Sequence, residues 1–136
     1  MSVSPSPARV LSELDHIRIS NLLKPPGMDF TADLAALLDN AELLSPRALP
    51  PDLVTMNSRV RIADPQTGDA RELTLCYPHD TNPDTGFVSV LSPVGTSLLG
   101  LREGAQAHWP MPSGAQASAR ILKVLYQPED HGEFLR

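Results

Sequence analysis

The order of hydrophobic and polar residues divides the chain into an amino-terminal segment with helical spacing and a longer segment with strand spacing. Apolar residues near the start recur three and four positions apart, which is the spacing of one face of an α-helix. The members of this face are Val10, Leu11, Leu14, Ile17 and Leu22. Ser12 is suited to cap the helix, because a serine hydroxyl accepts a hydrogen bond from an unpaired N–H of the first turn. The pattern therefore predicts a first amphipathic helix.

The helical pattern stops at the stretch KPPGMDF and then resumes. Pro25 and Pro26 cannot continue a helix, and Gly27 permits the chain to reverse. After this break the apolar residues with helical spacing are Phe30, Leu34, Leu37, Leu38, Ala41 and Leu44. Pro46 ends the second helix. We expect a short antiparallel helical hairpin, or coiled coil, over residues 10–45, within an amino-terminal unit of residues 1–48.

From residue 49 onward, the apolar period changes to two, as in β-strands. The runs SRVRI and ELTLCY alternate apolar and polar residues, and the turn sequence DPQTGD between them indicates a hairpin. The run FVSVL is predicted to be a third strand. Two further strands, AQAHW and SARILKVLYQ, flank the turn PMPSGA. The carboxy-terminal unit, residues 49–136, is therefore predicted to be an α+β domain with an antiparallel five-stranded sheet and one short helix. Its predicted core contains Val60, Ile62, Leu73, Leu75, Val88, Val90, Leu98, Leu99, Trp109, Ile121 and Val124.

The short helix is predicted in the stretch LSPVGTSLLGL. Ser92 is a natural N-cap, Pro93 suits the first helical position, and Gly100 suits a left-handed C-cap. The same stretch does not match the residue spacing of a nucleophile elbow or of a phosphate-binding loop. Leu99 stands where a nucleophile elbow needs glycine, and Leu101 stands where a phosphate-binding loop needs lysine. The stretch is therefore interpreted as a packing element.

Composition limits the classes of partner and of chemistry. The net charge of −5 argues against binding of free nucleic acid, because phosphate contacts need clustered Lys and Arg. The single cysteine, Cys76, excludes an internal disulfide. The histidines, at positions 16, 79, 108 and 131, lack the spacing of a metal site, so no metal or other cofactor is expected. We expect a cytoplasmic protein, because the sequence has neither a signal-peptide pattern nor about 18 consecutive apolar residues.

Several long segments resemble known bacterial proteins. SPRALPPDLVTMNSRVRI, LSPVGTSLLGL and LYQPEDHGEFL are similar to the Rnk family, named regulator of nucleoside diphosphate kinase. The segment SPVGTSLLGLREGAQAHWPMPSGAQASARILKVLYQ resembles the carboxy-terminal domain of the Gre transcript-cleavage factors. The resemblance implies a shortened Gre factor, in which a helical hairpin is joined to an FKBP-like antiparallel domain with one short helix.

The resemblance also implies a partner. Gre factors dock their globular domain on the rim of the RNA polymerase secondary channel, and their coiled coil enters the channel. The matching contact residues here are Leu91, Ser92, Pro93 and Val94. Leu91 departs from the polar or acidic residue that is common at this position in Gre factors, so the contact is either more apolar here or uses other neighbours.

Whether we expect transcript cleavage in addition to polymerase binding depends on the residues at the tip of the hairpin and on its length. The tip residues are Pro26, Gly27, Met28, Asp29 and Asp33. Two carboxylates on one helical face could hold a metal ion, and aspartate near a helix start is also favoured by capping and by the helix dipole. Helices of about 13 residues reach only about 20 Å. We therefore expect a non-enzymatic regulator that competes with Gre factors without stimulating cleavage.

Two alternatives of another class stay open. FKBP-like folds include peptidyl-prolyl isomerases, whose site is an apolar pocket lined with aromatic rings, and this chain has three Phe, two Tyr and one Trp. The family name also suggests direct binding to nucleoside diphosphate kinase. The same name fits an indirect effect on the level of the kinase, which a transcription regulator would cause.

Overall fold

The computed structural model describes residues 9–24 and 32–132. The helices and strands in chain order are β1 (Val10–Ser12), α1 (Glu13–Leu22), α2 (Ala32–Asn40), β2 (Glu42–Leu44), β3 (Arg59–Ala63), β4 (Ala70–Cys76), β5 (Phe87–Ser89), α3 (Pro93–Leu98), β6 (Gln106–Pro110) and β7 (Gln116–Tyr126). Short 3-10 turns lie at Pro46–Ala48, Pro78–Asp80, Pro83–Thr85 and Pro128–His131. None of the helices in the described ranges has the length and apolarity needed to cross a membrane.

The amino-terminal segment begins with a strand, so the prediction of a helix from residue 10 is wrong. Ser12 has extended backbone angles and accepts a hydrogen bond from the Asp15 N–H at 2.9 Å, which makes it the N-cap and fixes the helix start at Glu13. The three residues of β1 pair in parallel with β2, whose last residue, Leu44, was predicted to be helical. The cap itself is confirmed.

The buried face of α1 also differs from the prediction. Asp15 and Ile19 are buried, whereas Ile17 is 57% exposed. Because the helix starts three residues later than the apolar pattern suggested, the face that packs is the one that contains Asp15. On α2 the predicted residues Leu34 and Leu38 are buried as expected.

The two helices, which we call the helical pair, are in contact through His16 of α1. Its Nε2 atom lies 3.1 Å from the Leu38 carbonyl oxygen of α2. The predicted reversal between the helices falls outside the described residues. The antiparallel hairpin and coiled coil therefore stay a prediction.

The large sheet has five strands in the order β5-β4-β3-β7-β6. Three of its pairings are antiparallel, as predicted, but β5 runs parallel to β4. The prediction of a wholly antiparallel sheet is wrong at this edge. The segment from Tyr77 to Gly86 contains two 3-10 turns, so the chain crosses back along β4 before β5 begins, whereas a tight hairpin would give an antiparallel pair.

The core lies between the sheet, α3 and the helical pair. Nine of the eleven predicted core residues are buried: Val60, Ile62, Leu73, Leu75, Val90, Leu98, Leu99, Ile121 and Val124. Val88 and Trp109 are only partly buried and pack against its border. The alternation in β3, with Val60 and Ile62 buried and Arg59 and Arg61 exposed, confirms the strand period. The likeness to FKBP domains stays a prediction.

Candidate functional site

The residues predicted to contact a partner, 91–94, comprise the end of the turn after β5 and the first two residues of α3, and we call them the Ser-Pro loop. Ser92 caps α3 with extended backbone angles, and Pro93 occupies its first position, as predicted. The Ser92 hydroxyl donates a hydrogen bond to the Ser89 carbonyl oxygen at 2.6 Å and accepts one from the Gly95 N–H at 3.1 Å. Both functions of this hydroxyl group are therefore used to hold the local backbone.

The start of α3 lies so close to β5 that only glycine fits at position 95. A Cβ atom on Gly95 would overlap the Ser89 carbonyl oxygen. Thr96 adds a hydrogen bond from its hydroxyl to the Val90 carbonyl oxygen at 2.8 Å. Beneath this contact Leu98 is fully buried. The Ser-Pro loop therefore has a fixed position relative to the sheet.

The four loop residues differ in what they present to solvent. Pro93 is exposed. Leu91 and Val94 are partly buried and pack against the core of the protein itself. The exposed pyrrolidine ring of Pro93 is thus the main apolar group that the loop offers to a partner.

The predicted tip residues are only partly described. Asp33 is exposed in the first turn of α2, where a negative charge interacts favourably with the helix dipole. Pro26, Gly27, Met28 and Asp29 lie outside the described residues. Within residues 9–24 and 32–132, no three side chains of His, Cys, Asp or Glu are grouped so that they could hold a metal ion.

One link between the helical pair and α3 was not predicted. The Arg9 guanidinium donates hydrogen bonds to the carbonyl oxygens of Thr96 at 3.3 Å and Leu99 at 2.8 Å. Next to it, the Val10 N–H donates to the Gly100 carbonyl oxygen at 3.2 Å. Gly100 has φ +79°, and a Cβ atom there would lie 3.0 Å from the Val10 carbonyl oxygen. The predicted left-handed residue after α3 therefore also makes room for β1.

A second link between the two parts of the chain involves the buried carboxyl group of Asp15, with the partly buried carboxyl group of Glu129 nearby. Asp15 of α1 accepts a hydrogen bond from the Met56 N–H at 3.2 Å. Glu129, in the carboxy-terminal 3-10 turn, accepts one from the Thr55 hydroxyl at 2.7 Å. Burial raises the pKa of Asp15 to about 7, and the negative charge of Glu129 adds to this rise. Burial also raises the pKa of Glu129.

Tyr77 and Arg18 lie beside this pair. Burial is the main cause that raises the pKa of Tyr77 to about 12, and the charge of Asp15 adds to it, while Arg18 opposes the shift. Sequence reasoning missed this group of residues. The sequence contained one indication of it: Asp15 lies four positions before Ile19, which places both residues on the same face of a helix.

Comparison with known proteins places the Ser-Pro loop and its supporting sheet in one matched region. A family model described as "Transcription elongation factor, GreA/GreB, C-term" matches residues 49–126, which include the loop. The chain belongs to the GreA/GreB family of transcription elongation factors. It is also 40% identical to the regulator of nucleoside diphosphate kinase from Escherichia coli K12, over 95% of this chain and 97% of that protein.

Some GreA proteins of the family are longer than this chain. The transcription elongation factor GreA from Helicobacter hepaticus is 33% identical over 95 residues, which are 70% of this chain and only 58% of that protein. The proteins that match are named as regulators or elongation factors rather than as enzymes.

Solved structures show the same architecture. The transcription elongation factor GreA/GreB from Nitrosomonas europaea superimposes with a TM-score of 0.75 at 39% identity, over 89% of this chain and all of that chain. The GreA factor homolog 1 from Thermus thermophilus shares the fold, with a TM-score of 0.50 at 18% identity over 88% of this chain and 99% of that one. The chain is therefore an α+β protein of the Gre type and a regulator that resembles elongation factors.

Proposed function

We propose that this protein binds RNA polymerase at the rim of the secondary channel through the Ser-Pro loop and regulates transcription without enzymatic activity. The observation that carries the proposal is the fixed presentation of Pro93. Ser92 caps α3, Gly95 lets the helix lie directly on Ser89, and the proline ring is left exposed. A preorganised loop contributes to affinity because little conformational entropy is lost on binding.

The length of the helical pair supports a role in competition rather than in cleavage. α1 and α2 have 10 and 9 residues, which correspond to about 15 Å and about 14 Å. A carboxylate contributes to a metal site only through direct or water-bridged contact. Asp33 lies on a short helix, so it stays remote from a catalytic centre deep in the channel. The protein therefore occupies the entrance and excludes Gre factors.

The test is a backtracked RNA polymerase complex in Mg²⁺, given this protein, a Gre factor, or both. We expect no acceleration of transcript cleavage by the protein alone and progressive inhibition of the Gre factor as the protein is added. Asp29→Ala and Asp33→Ala variants should inhibit as well as the native chain. Rapid cleavage by the protein alone, lost in either variant, would overturn the argument from length. A Gre factor that stays fully active at saturating protein would exclude a shared docking site.

The two alternatives from the sequence have direct assays. A proline-containing model peptide should isomerise at its uncatalysed rate in the presence of the protein. Purified nucleoside diphosphate kinase should neither bind the protein nor change its rate, because the proposed effect on the kinase operates through transcription. Clear catalysis of isomerisation, or a stable complex with the kinase, would replace the proposed function by the corresponding alternative.

A further inference from the structure

A cleft of about 720 Å³ lies between α1 and the segment that joins β4 to β5. Arg18 and Asn21 of α1 contribute to its lining. The other lining residues are Asn57, Tyr77, His79, Asp80, Asn82, Thr85 and Phe87. Its volume is within the range of about 300 to 1,000 Å³ that is usual for small-molecule sites. Its lining contains no residue of the Ser-Pro loop, so the cleft is available for a ligand of its own.

One part of the lining is aromatic. The rings of Tyr77 and His79 are stacked, with centroids 6.3 Å apart and planes inclined by 7°, and Phe87 adds a third ring. Because burial raises the pKa of Tyr77 to about 12, its phenol keeps its proton at neutral pH. Aromatic side chains in a cleft favour a planar ring, and stacking of a base on an aromatic side chain contributes about 1–3 kcal/mol.

The polar part of the lining contains the amides of Asn21, Asn57 and Asn82. An amide carries a donor and an acceptor side by side, which matches the edge of a nucleobase. Asn57 has φ 67°, in the left-handed region that favours glycine, and its N–H donates to the Leu75 carbonyl oxygen at 2.6 Å. Strained backbone of this kind is concentrated at functional sites, and here it directs an amide side chain into the cleft wall.

Among the described residues of the lining, Arg18 is the one Lys or Arg side chain, which suits a ligand with a single anionic group better than one with several. Arg18 provides a cation, while Asp80 provides an anion that lies 3.3 Å from the His79 ring nitrogen. Asp80 would repel a polyphosphate, whereas Arg18 can bind a single phosphate group. A strand-like peptide is disfavoured because Asn82 and Phe87 hydrogen-bond each other through both backbone N–H groups at 3.0 Å, so neither offers a free strand edge.

We propose that this cleft binds a nucleoside monophosphate, with the base stacked on the Tyr77 and His79 rings and the phosphate on Arg18. The Asn57 amide recognises the edge of the base. Since Arg18 belongs to α1 and the other groups belong to the sheet domain, the bound nucleotide connects the helical pair to that domain. The inference is independent of polymerase docking, because none of its residues lies in the Ser-Pro loop.

The experiment is a titration of the ¹⁵N-labelled full chain with AMP, GMP, CMP and UMP, followed by NMR. We expect saturable shifts at the backbone amides of the lining residues 18, 21, 57, 77, 79, 80, 82, 85 and 87 with at least one of the four. Asn57→Gly retains the left-handed backbone and removes only the side-chain amide, so it should fold normally and bind about five- to tenfold more weakly. Asn40→Gly, an exposed asparagine at the end of α2 and outside the cleft, is the matched control and should bind as the native chain does.

Four results would overturn the proposal. The first is no shift with any of the four monophosphates. The second is equal affinity of the native chain and a folded Asn57→Gly variant. The third is tighter binding of ATP or of a short oligonucleotide than of the monophosphates, which would identify a polyanion site. The fourth is shifts of the same amides by a proline-containing peptide alone, which would identify a peptide site. The polymerase assays above have separate readouts and are unaffected by any of these results.

Discussion

Asp15 is almost fully buried, at 3% exposure, where the charged form of its carboxyl group is poorly solvated. Burial, with the charge of Glu129, raises its pKa in the folded protein to about 7, whereas an unfolded aspartate has a pKa near 4. Between these two values the folded state binds more protons than the unfolded state. The stability of the fold therefore decreases as the pH rises from about 4 to about 7, and then changes little.

Replacement of Asp15 by asparagine should remove most of this pH dependence. The amide oxygen can still accept the Met56 N–H, and no charge is left to be desolvated. In urea unfolding at pH 5 and pH 8, we expect the native chain to lose on the order of 1–3 kcal/mol between the two, and Asp15→Asn to lose clearly less. Glu129 retains a smaller dependence of the same sign, because its pKa is also raised. Asp33→Asn, at an exposed position, is the control, and an equal slope in Asp15→Asn would contradict the assignment.

At the scale of elements, α3 could be predicted because its signals are local. Ser92 and Pro93 act within one turn of their own position and have the predicted roles. Gly100 has the predicted left-handed backbone, but the C-cap of α3 is Leu99, and the Gly100 N–H donates to the Val54 carbonyl oxygen instead of to the helix. The strand β1 and the direction of β5 could not be predicted, because both depend on distant partners. β1 pairs with residues 42–44, and β5 is placed by the segment that crosses from β4.

In the candidate site, too, the local features could be predicted and those that depend on distant residues could not. The turn of residues 91–94 was readable from sequence, whereas Asp15 and Glu129 come together only in three dimensions, 114 positions apart along the chain. The apolar pattern predicted the wrong face of α1 because one of its two buried residues, Asp15, carries a carboxyl group. A search for regularly spaced apolar residues does not detect such a position.

Pro93 should contribute to polymerase binding without contributing much to stability. Its ring is exposed, and alanine is tolerated at the first helical position. We expect Pro93→Ala to weaken binding of core RNA polymerase about tenfold, as for a central contact, while the melting temperature changes little. Pro110→Ala, at another exposed proline, on β6, should leave the affinity unchanged. Equal affinity of native chain and Pro93→Ala would remove the Ser-Pro loop from the interface. Val94 is left intact because it packs partly on the core.

For the molecule as a whole, residues 9–12 connect the helical pair to α3. The Arg9 carbonyl oxygen accepts a hydrogen bond from the Glu42 N–H at 2.9 Å, while its guanidinium binds the end of α3. Burial lowers the pKa of Arg9. Carbonyl groups at a helix end need hydrogen-bond donors when they are shielded from water. The Arg9 side chain provides donors to two carbonyl groups at the end of α3, and the same contact holds β1 next to that helix.

Arg9→Met keeps most of the apolar stem and removes the donors. We expect the free energy of unfolding to fall by about 1–3 kcal/mol, because the carbonyl oxygens of Thr96 and Leu99 lose partners that are partly buried. Amide hydrogen exchange at Val10, which donates to Gly100, should accelerate more than exchange in β3. Arg71→Met, at an exposed position on β4, serves as control and should change neither. Unchanged exchange at Val10 would show that Arg9 does not hold β1 in place.

The contact between Arg9 and α3 also sets an order of events during synthesis. Arg9 leaves the ribosome 90 positions before Leu99, to which it donates its shorter hydrogen bond. At a translation rate of about 5–20 residues per second, this delay is on the order of ten seconds. Throughout that interval the nascent amino terminus has no α3 on which to anchor. The contact of Arg9 with α3 therefore forms only after the Ser-Pro loop has been made, so a chain interrupted before α3 has neither the Ser-Pro loop nor this anchor for β1.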